Sequence, residues 1–227
     1  MNTGRKTGAV ILLSGGLDST VLLHYLRHKL RRRVTALSVA YGQKHSRELR
    51  QSRIQAMSAG VVEHVVADMR FIGPLLKGSA LTDDSVAVPA LAGLNKAQLA
   101  QPPTYVPNRN MMLLSIAAAF AESRGICEIY YGAHQGDRYS YWDCSSEFVR
   151  RLNRALALNR KDPVSVIAPF TNKSKAEILR IGMRLGVDFS RTWSCYRGGA
   201  CPCGECPTCV ERAAAFACAG IADPLIK

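Results

Sequence analysis

The sequence predicts an α/β fold: a doubly wound, mostly parallel sheet with a small C-terminal cysteine-bearing subdomain. Two observations carry that expectation. Apolar, β-rich runs alternate with segments of helical period, and five of the eight cysteines crowd into fifteen positions near the end of the chain. Ala9–Leu13, Val34–Ala40, Val61–Val66 and Ile126–Tyr131 read as strands, and Asp18–Leu30, Ser46–Ala59, Asn110–Ser123 and Glu147–Leu158 as helices. At 227 residues the chain is long enough for one well-buried core with an appendage. The expected division is 1–190 for the sheet domain and 191–227 for the cysteine segment.

The first strand runs into Ser14-Gly15-Gly16-Leu17-Asp18-Ser19 and then into a helical segment. Two consecutive glycines let the backbone turn sharply and bring bare N–H groups close to an anion, and the helix that follows adds its positive end. This is a phosphate loop, with Asp18 as a Mg²⁺-directed carboxylate and Ser19 as a hydroxyl donor. It is not the Walker arrangement, because no lysine closes it. An ordinary Gly-rich strand-to-helix turn is the structural alternative.

Residues 71–107, with prolines at 74, 89, 102, 103 and 107, form the least periodic stretch. They read as a long excursion with a short helix around Leu94–Leu99, placed to cover a site or mediate self-association. Further on, Ser174-Lys175-Ala176-Glu177 has capping-box spacing and opens another helix. Capping accounts for Ser174 and Glu177 and leaves Lys175 to face either a ligand or solvent. Ligands of doubly wound sheets bind beyond the strand ends, so motifs that follow strands converge on one cleft.

The formal charge is +13, from 30 Lys+Arg against 17 Asp+Glu, which favours anionic partners such as ATP, carboxylates or nucleic acid. Arg27-His28-Lys29-Leu30-Arg31-Arg32-Arg33 fits a solvated helix end better than an RNA contact. No run approaches the ~20 apolar residues of a bilayer span, and the N-terminus leads straight into a strand, so a soluble, cytoplasmic protein is expected, with no membrane partner.

Cys203-Gly204-Glu205-Cys206-Pro207-Thr208-Cys209 places three thiols at two-residue gaps, with Cys195 upstream. The spacing suits tetrahedral Zn²⁺ held by Cys195, Cys203, Cys206 and Cys209, a closed and therefore structural site. Cys201 competes with Cys203 for one position, although Cys203 keeps the regular spacing, and an iron–sulfur cluster is the rival occupant. Arg197 and Arg212 are placed to offset the thiolate charge. Cys127 and Cys218 read as small buried hydrophobes, and Cys144 as packing unless its thiolate is stabilised.

Between these ends stand Tyr41-Gly42-Gln43-Lys44-His45, Ser79-Ala80-Leu81-Thr82 and Thr104-Tyr105-Val106-Pro107-Asn108-Arg109-Asn110. In order and spacing, together with Ser14–Ser19, Trp193-Ser194-Cys195-Tyr196 and the cysteine pattern, they resemble the 7-cyano-7-deazaguanine synthase family over nearly the whole chain. The loop itself resembles that of the N-type ATP pyrophosphatases. The resemblance implies an adenine-nucleotide α-hydrolase-like (Rossmann-like) fold, structural zinc, a homodimer, and a ligase that uses ATP and Mg²⁺. Its reaction would adenylate 7-carboxy-7-deazaguanine and convert it with ammonia, through an amide, to the nitrile, releasing AMP and pyrophosphate. By the same resemblance Ser14, Gly15, Gly16, Leu17, Asp18 and Ser19 would hold ATP, and Arg109 and Lys175 would contact nucleotide or phosphate. Tyr41, Gln43 and His45 fit either loop stabilisation or substrate contact.

One motif departs from the family pattern. A Tyr-Pro-Asp-Cys-Arg signature near the deazaguanine site becomes Tyr141-Trp142-Asp143-Cys144-Ser145 here. Tyr141 is kept, and Asp143 can accept hydrogen bonds from a purine-like N–H edge, while the loss of arginine at Ser145 removes a carboxylate clamp or a contact needed for the second round. His134 and Asp137, just upstream, are further substrate-site candidates. The departure keeps open a divergent relative that stops at the amide or transfers the acyl group to an amine on a protein or nucleic acid. The other readings are a tRNA-modifying enzyme with the same loop and a non-enzymatic zinc-ribbon module.

Overall fold

The computed structural model describes residues 8–134 and 141–226. Five strands, β1 (Gly8–Leu12), β2 (Arg33–Ala40), β3 (Glu63–Asp68), β4 (Glu128–Tyr130) and β5 (Ser165–Ile167), make one sheet in the order β3-β2-β1-β4-β5. Every pairing is parallel. The helices are α1 (Leu17–His24), α2 (Arg47–Ser58), α3 (Lys96–Ala100), α4 (Arg109–Ser123), α5 (Ser146–Leu156), α6 (Lys175–Arg184) and α7 (Pro207–Ala219).

The sheet is buried on both faces, which is why β1 reads as an unbroken apolar run. Ala9 and Ile11 pack with Val21, Ile178 and Phe216, so α1, α6 and α7 cover one face. Val10 and Leu37 pack with Leu114, Ala117 and Phe148, so α4 and α5 cover the other. The doubly wound architecture expected from the sequence is therefore present. The chain reverses its direction of winding between β1 and β4, and in such sheets the crevice at that point receives the ligand.

Several boundaries differ from the sequence reading for local reasons. The helix expected to run to Leu30 loosens after His24 into a π-helical turn, Tyr25–Lys29, closed by the Leu30 N–H to the Tyr25 carbonyl at 3.0 Å. β3 starts at Glu63 rather than Val61, because Gly60 (φ 61°) turns the chain out of α2 and leaves Val62 exposed. The short excursion helix is α3, held by an Asn95–Gln98 capping box. β5 and α7 were not legible as elements. β5 is three residues long, and α7 begins inside the cysteine cluster.

Arg212 does not serve the cysteines. It is buried, donates to both oxygens of Asp223 at 2.7 and 3.0 Å, and also reaches the Thr192 hydroxyl and the Phe189 carbonyl. Arg197 pairs with Glu205 at 2.8 Å and also feels the Cys203 and Cys206 thiols, as the sequence suggested. Arg212 thus ties α7, the Phe189–Thr192 segment and the C-terminal turn together. Breaking one partner of a buried pair leaves an uncompensated charge, so Asp223→Ala should cost about 3–5 kcal/mol in urea denaturation.

Candidate functional site

The phosphate loop follows β1 directly. Gly15 adopts a left-handed conformation (φ 84°), and a Cβ there would strike the Glu48 carbonyl and come within 2.5 Å of the Ser52 amide on α2. Ser14 and Ser19 close the loop through their hydroxyls at 3.0 Å, and the Gly16 N–H donates to Ser14 Oγ. From the next strand end, Gly132 lies so close that a Cβ would sit 3.1 Å from the Ser19 amide. The loop opens into a cavity of about 280 Å³, at the lower end of small-molecule sites.

Charges of both signs line that cavity. Asp18 Oδ2 is 3.5 Å from His134 Nε2 and 3.9 Å from Lys175 Nζ. Burial opposes ionisation of Asp18, but Lys175 and His134 outweigh it and hold the carboxyl at about 2. Asp18 Oδ1 has no hydrogen-bond partner among the described residues. A half-buried, ionised carboxylate with one orphaned, buried oxygen beside a phosphate loop fits a hard divalent cation such as Mg²⁺. Lys175, first residue of α6 after its Ser174–Glu177 capping box, also pairs with Glu211 of α7 at 3.1 Å.

Arg109 reaches the cavity because Asn108, in a left-handed turn (φ 51°), starts α4 at that residue. Its guanidinium donates to the Tyr41 hydroxyl and has Tyr196 and Asp143 as further neighbours. Burial pushes the Tyr41 and Tyr196 phenols up, so both are neutral hydroxyls at ordinary pH. Burial also pushes the Glu48 carboxyl up to about 7, against the pull of Arg109. His45, again through burial, is held below its usual range.

The Sγ atoms of Cys195, Cys203, Cys206 and Cys209 all lie within 4.8 Å of one another. Tetrahedral zinc with bonds of about 2.3 Å spaces its sulfurs about 3.8 Å apart, and Cys203 and Cys209 are 3.9 Å apart. Backbone N–H groups of Cys203 and Cys206 point at Cys195 Sγ and Cys203 Sγ, at 3.4 and 3.3 Å, as suits thiolates. The group could therefore hold a metal such as zinc. Cys201 is exposed and outside it.

Comparison with known proteins decides the family. The family model described as "Queuosine biosynthesis protein QueC" matches residues 8–220. The chain belongs to the QueC family. A 7-cyano-7-deazaguanine synthase from Archaeoglobus fulgidus is 45% identical over 96% of this chain and 90% of its own length. One from Chromohalobacter salexigens is 44% identical over 97% of this chain and 86% of its own. The fold is shared with the U34-tRNA thiolase NcsA from Methanococcus maripaludis, described with its [4Fe-4S] cluster (TM-score 0.52, 14% identity, 81% of this chain, 59% of that one). It is shared also with NMN synthetase from Francisella tularensis (TM-score 0.51, 13% identity, 98% and 80% covered). Among the described residues no helix is long and apolar enough to cross a membrane.

Within this QueC-family chain the cavity gathers Ser14, Gly16, Leu17, Asp18, Ser19, Tyr41, Gln43, His45, Arg109, His134, Tyr141 and Lys175. Gln43 also braces its own loop, accepting from the Tyr41 N–H at 2.8 Å and donating to the Val39 carbonyl. Asp143 is not on the cavity wall. It is buried in a small neighbouring recess with Arg109, Tyr141 and Tyr196. Asp137 lies outside the described residues. Ser145 caps α5, accepting from the Phe148 N–H at 3.1 Å, and Trp142 packs edge-on against Phe148, so neither lines the cavity. Glu48, Thr208 and Glu211 were missed as lining residues: Glu48 stands in the first turn of α2, where an acidic residue reads as a favourable helix start.

The purified protein should carry one zinc per chain without the visible absorption of an iron–sulfur cluster, retain it in Cys201→Ser, and lose it in Cys206→Ser. Metal analysis with visible spectroscopy checks this. Glu48 offers a test of the electrostatics. Its folded-state pKa of about 7 lies above the ordinary 4.5, so the folded state holds the proton more tightly, and stability is lost as pH rises from about 4.5 to about 7. Glu48→Gln removes that loss, and its melting temperature relative to wild type should be higher at pH 8 than at pH 5.

Proposed function

We propose that the protein is a 7-cyano-7-deazaguanine synthase that adenylates 7-carboxy-7-deazaguanine with Mg·ATP and aminates it with ammonia to the nitrile, as a homodimer. What carries the reading is that Asp18, Lys175 and Arg109 meet around the Ser14–Ser19 loop in one cavity, in a chain 45% identical to a synthase of that name.

A carboxylate becomes an electrophile only when one of its oxygens is made a leaving group. In the first round that oxygen attacks the α-phosphorus of ATP and pyrophosphate departs. Ammonia then displaces AMP, with loss of a proton, to give the amide. In the second round the amide oxygen attacks the α-phosphorus of a second ATP and pyrophosphate departs; departure of AMP with loss of both N–H protons then leaves the nitrile. The chain contributes position and charge rather than a covalent bond. The N–H groups of the loop and the Lys175 ammonium receive the departing pyrophosphate. Arg109, with its planar fork, holds oxygens of the reacting centre. Asp18 would hold Mg²⁺, which would neutralise phosphate charge, and Cys195, Cys203, Cys206 and Cys209 would hold zinc, which would keep the C-terminal segment folded.

Mass spectrometry of a reaction with Mg·ATP, the acid and ammonium tests the reading. Nitrile, AMP and pyrophosphate are expected, and Asp18→Ala should lower the rate at least 100-fold, a loss of about 2.7 kcal/mol or more of transition-state stabilisation. Amide alone, or a deazaguanine adduct on the protein, would replace this reading with the divergent relative. Absence of acid-dependent AMP would overturn it.

A further inference from the structure

Among the described residues three carboxyl side chains line the cavity: Asp18, Glu48 and Glu211. Asp18 faces His134 and Lys175, and Glu211 is paired with Lys175. Glu48 differs from both. Among the described residues no group donates a hydrogen bond to its carboxyl, although Arg109, Tyr41 and Tyr196 act on it or feel its charge. Half-buried on the cavity wall beside Arg109, the Glu48 carboxyl is open to a donor that a ligand would bring.

A guanine-type base offers that donor. Its edge runs from the 7-substituent past the O6 acceptor to two adjacent donors, N1–H and the 2-amino group. With Arg109 at the 7-carboxyl end, as the proposed reaction has it, Glu48 is the carboxyl of the wall that interacts with that guanidinium and is available to those donors. We propose that the Glu48 carboxylate accepts from N1–H and the 2-amino group of the deazaguanine ring and so determines the choice of a guanine-type base. The inference rests on the reaction proposed above. It assigns to Glu48 the contact for which Asp143 looked suitable in the sequence, because Asp143 lies in the neighbouring recess. The same carboxylate repels adenine, which presents an acceptor at N1, and so keeps the nucleotide's base out of the acid's place.

Pyrophosphate release decides the matter, measured for wild type and Glu48→Gln with 7-carboxy-7-deazaguanine and with the analogue lacking the 2-amino group. Wild type should prefer the amino compound by about 100-fold in kcat/KM, because without that donor the carboxylate is left unpaired. In Glu48→Gln, whose amide offers one acceptor and an opposing N–H, the preference should shrink to within about threefold, through KM for the acid and with KM for ATP unchanged. Should that variant fail to fold, Glu48→Asp carries the same comparison, with a preference between the two. An unchanged preference in a variant that still turns over overturns the inference alone, as does a rise confined to KM for ATP. Wild type that releases no pyrophosphate with either acid overturns the proposed reaction, and the inference with it.

Discussion

Everything at the site depends on backbone closeness that a single methyl group would prevent. At Gly15 the loop lies against the first turns of α2, and at Gly132 the end of β4 lies against the start of α1. Three elements from different parts of the chain thereby meet around one turn. Hydrogen bonds fix the turn in place: the Trp193 N–H donates to the Gly15 carbonyl at 3.0 Å, and Ser38, inside β2, donates to the Leu13 carbonyl. Anion binding by backbone N–H groups requires such rigidity, since a mobile loop would lose the benefit to ordering entropy.

The cysteine cluster is coupled to this turn although its sulfurs lie off the cavity. Trp193 bonds the loop through its backbone N–H and the Cys195 carbonyl through its indole at 2.9 Å. Cys206 is the residue from which α7 starts, Pro207 occupies the first helical position, and Cys209 lies in the first turn. A metal in the cluster would therefore fix where α7 begins. One turn further, α7 presents Glu211 to Lys175, and Lys175 in turn faces Asp18. Through α7 the four cysteines bear on the position of a lysine they never touch, in the way that outer-shell groups orient a site.

Much of this was legible in the sequence where a local rule and the tertiary environment agreed. The buried run Ala9–Leu13, the Gly15–Gly16 turn and the Ser174–Glu177 capping box each follow from the chemistry of a few neighbouring residues. What escaped depended on partners far away in sequence. β5 is a strand only because Ser165–Ile167 pairs with β4. Glu48 lines the cavity because α2 packs on the loop, whereas Asp143 lines the adjoining recess with Arg109, where the Tyr131 hydroxyl donates to its backbone carbonyl at 3.1 Å. Position 145 shows the same limit: as a sequence difference it suggests a lost arginine clamp, whereas in the fold it is a helix cap.

The two carboxyls of the cavity that have opposite tendencies show how one pocket separates two tasks. Asp18, between an ammonium and an imidazole, is held at about 2 and stays an anion across the whole physiological range. It can serve only as a permanent charge, which suits cation binding beside phosphates. Glu48, half-buried with Arg109 as its guanidinium neighbour, is pushed up to about 7. Environments that drive two like groups apart in this way divide roles between them. In the proposed reaction that division would fall between holding the leaving group and reading the base, beside the Arg109 guanidinium that lines the same cavity.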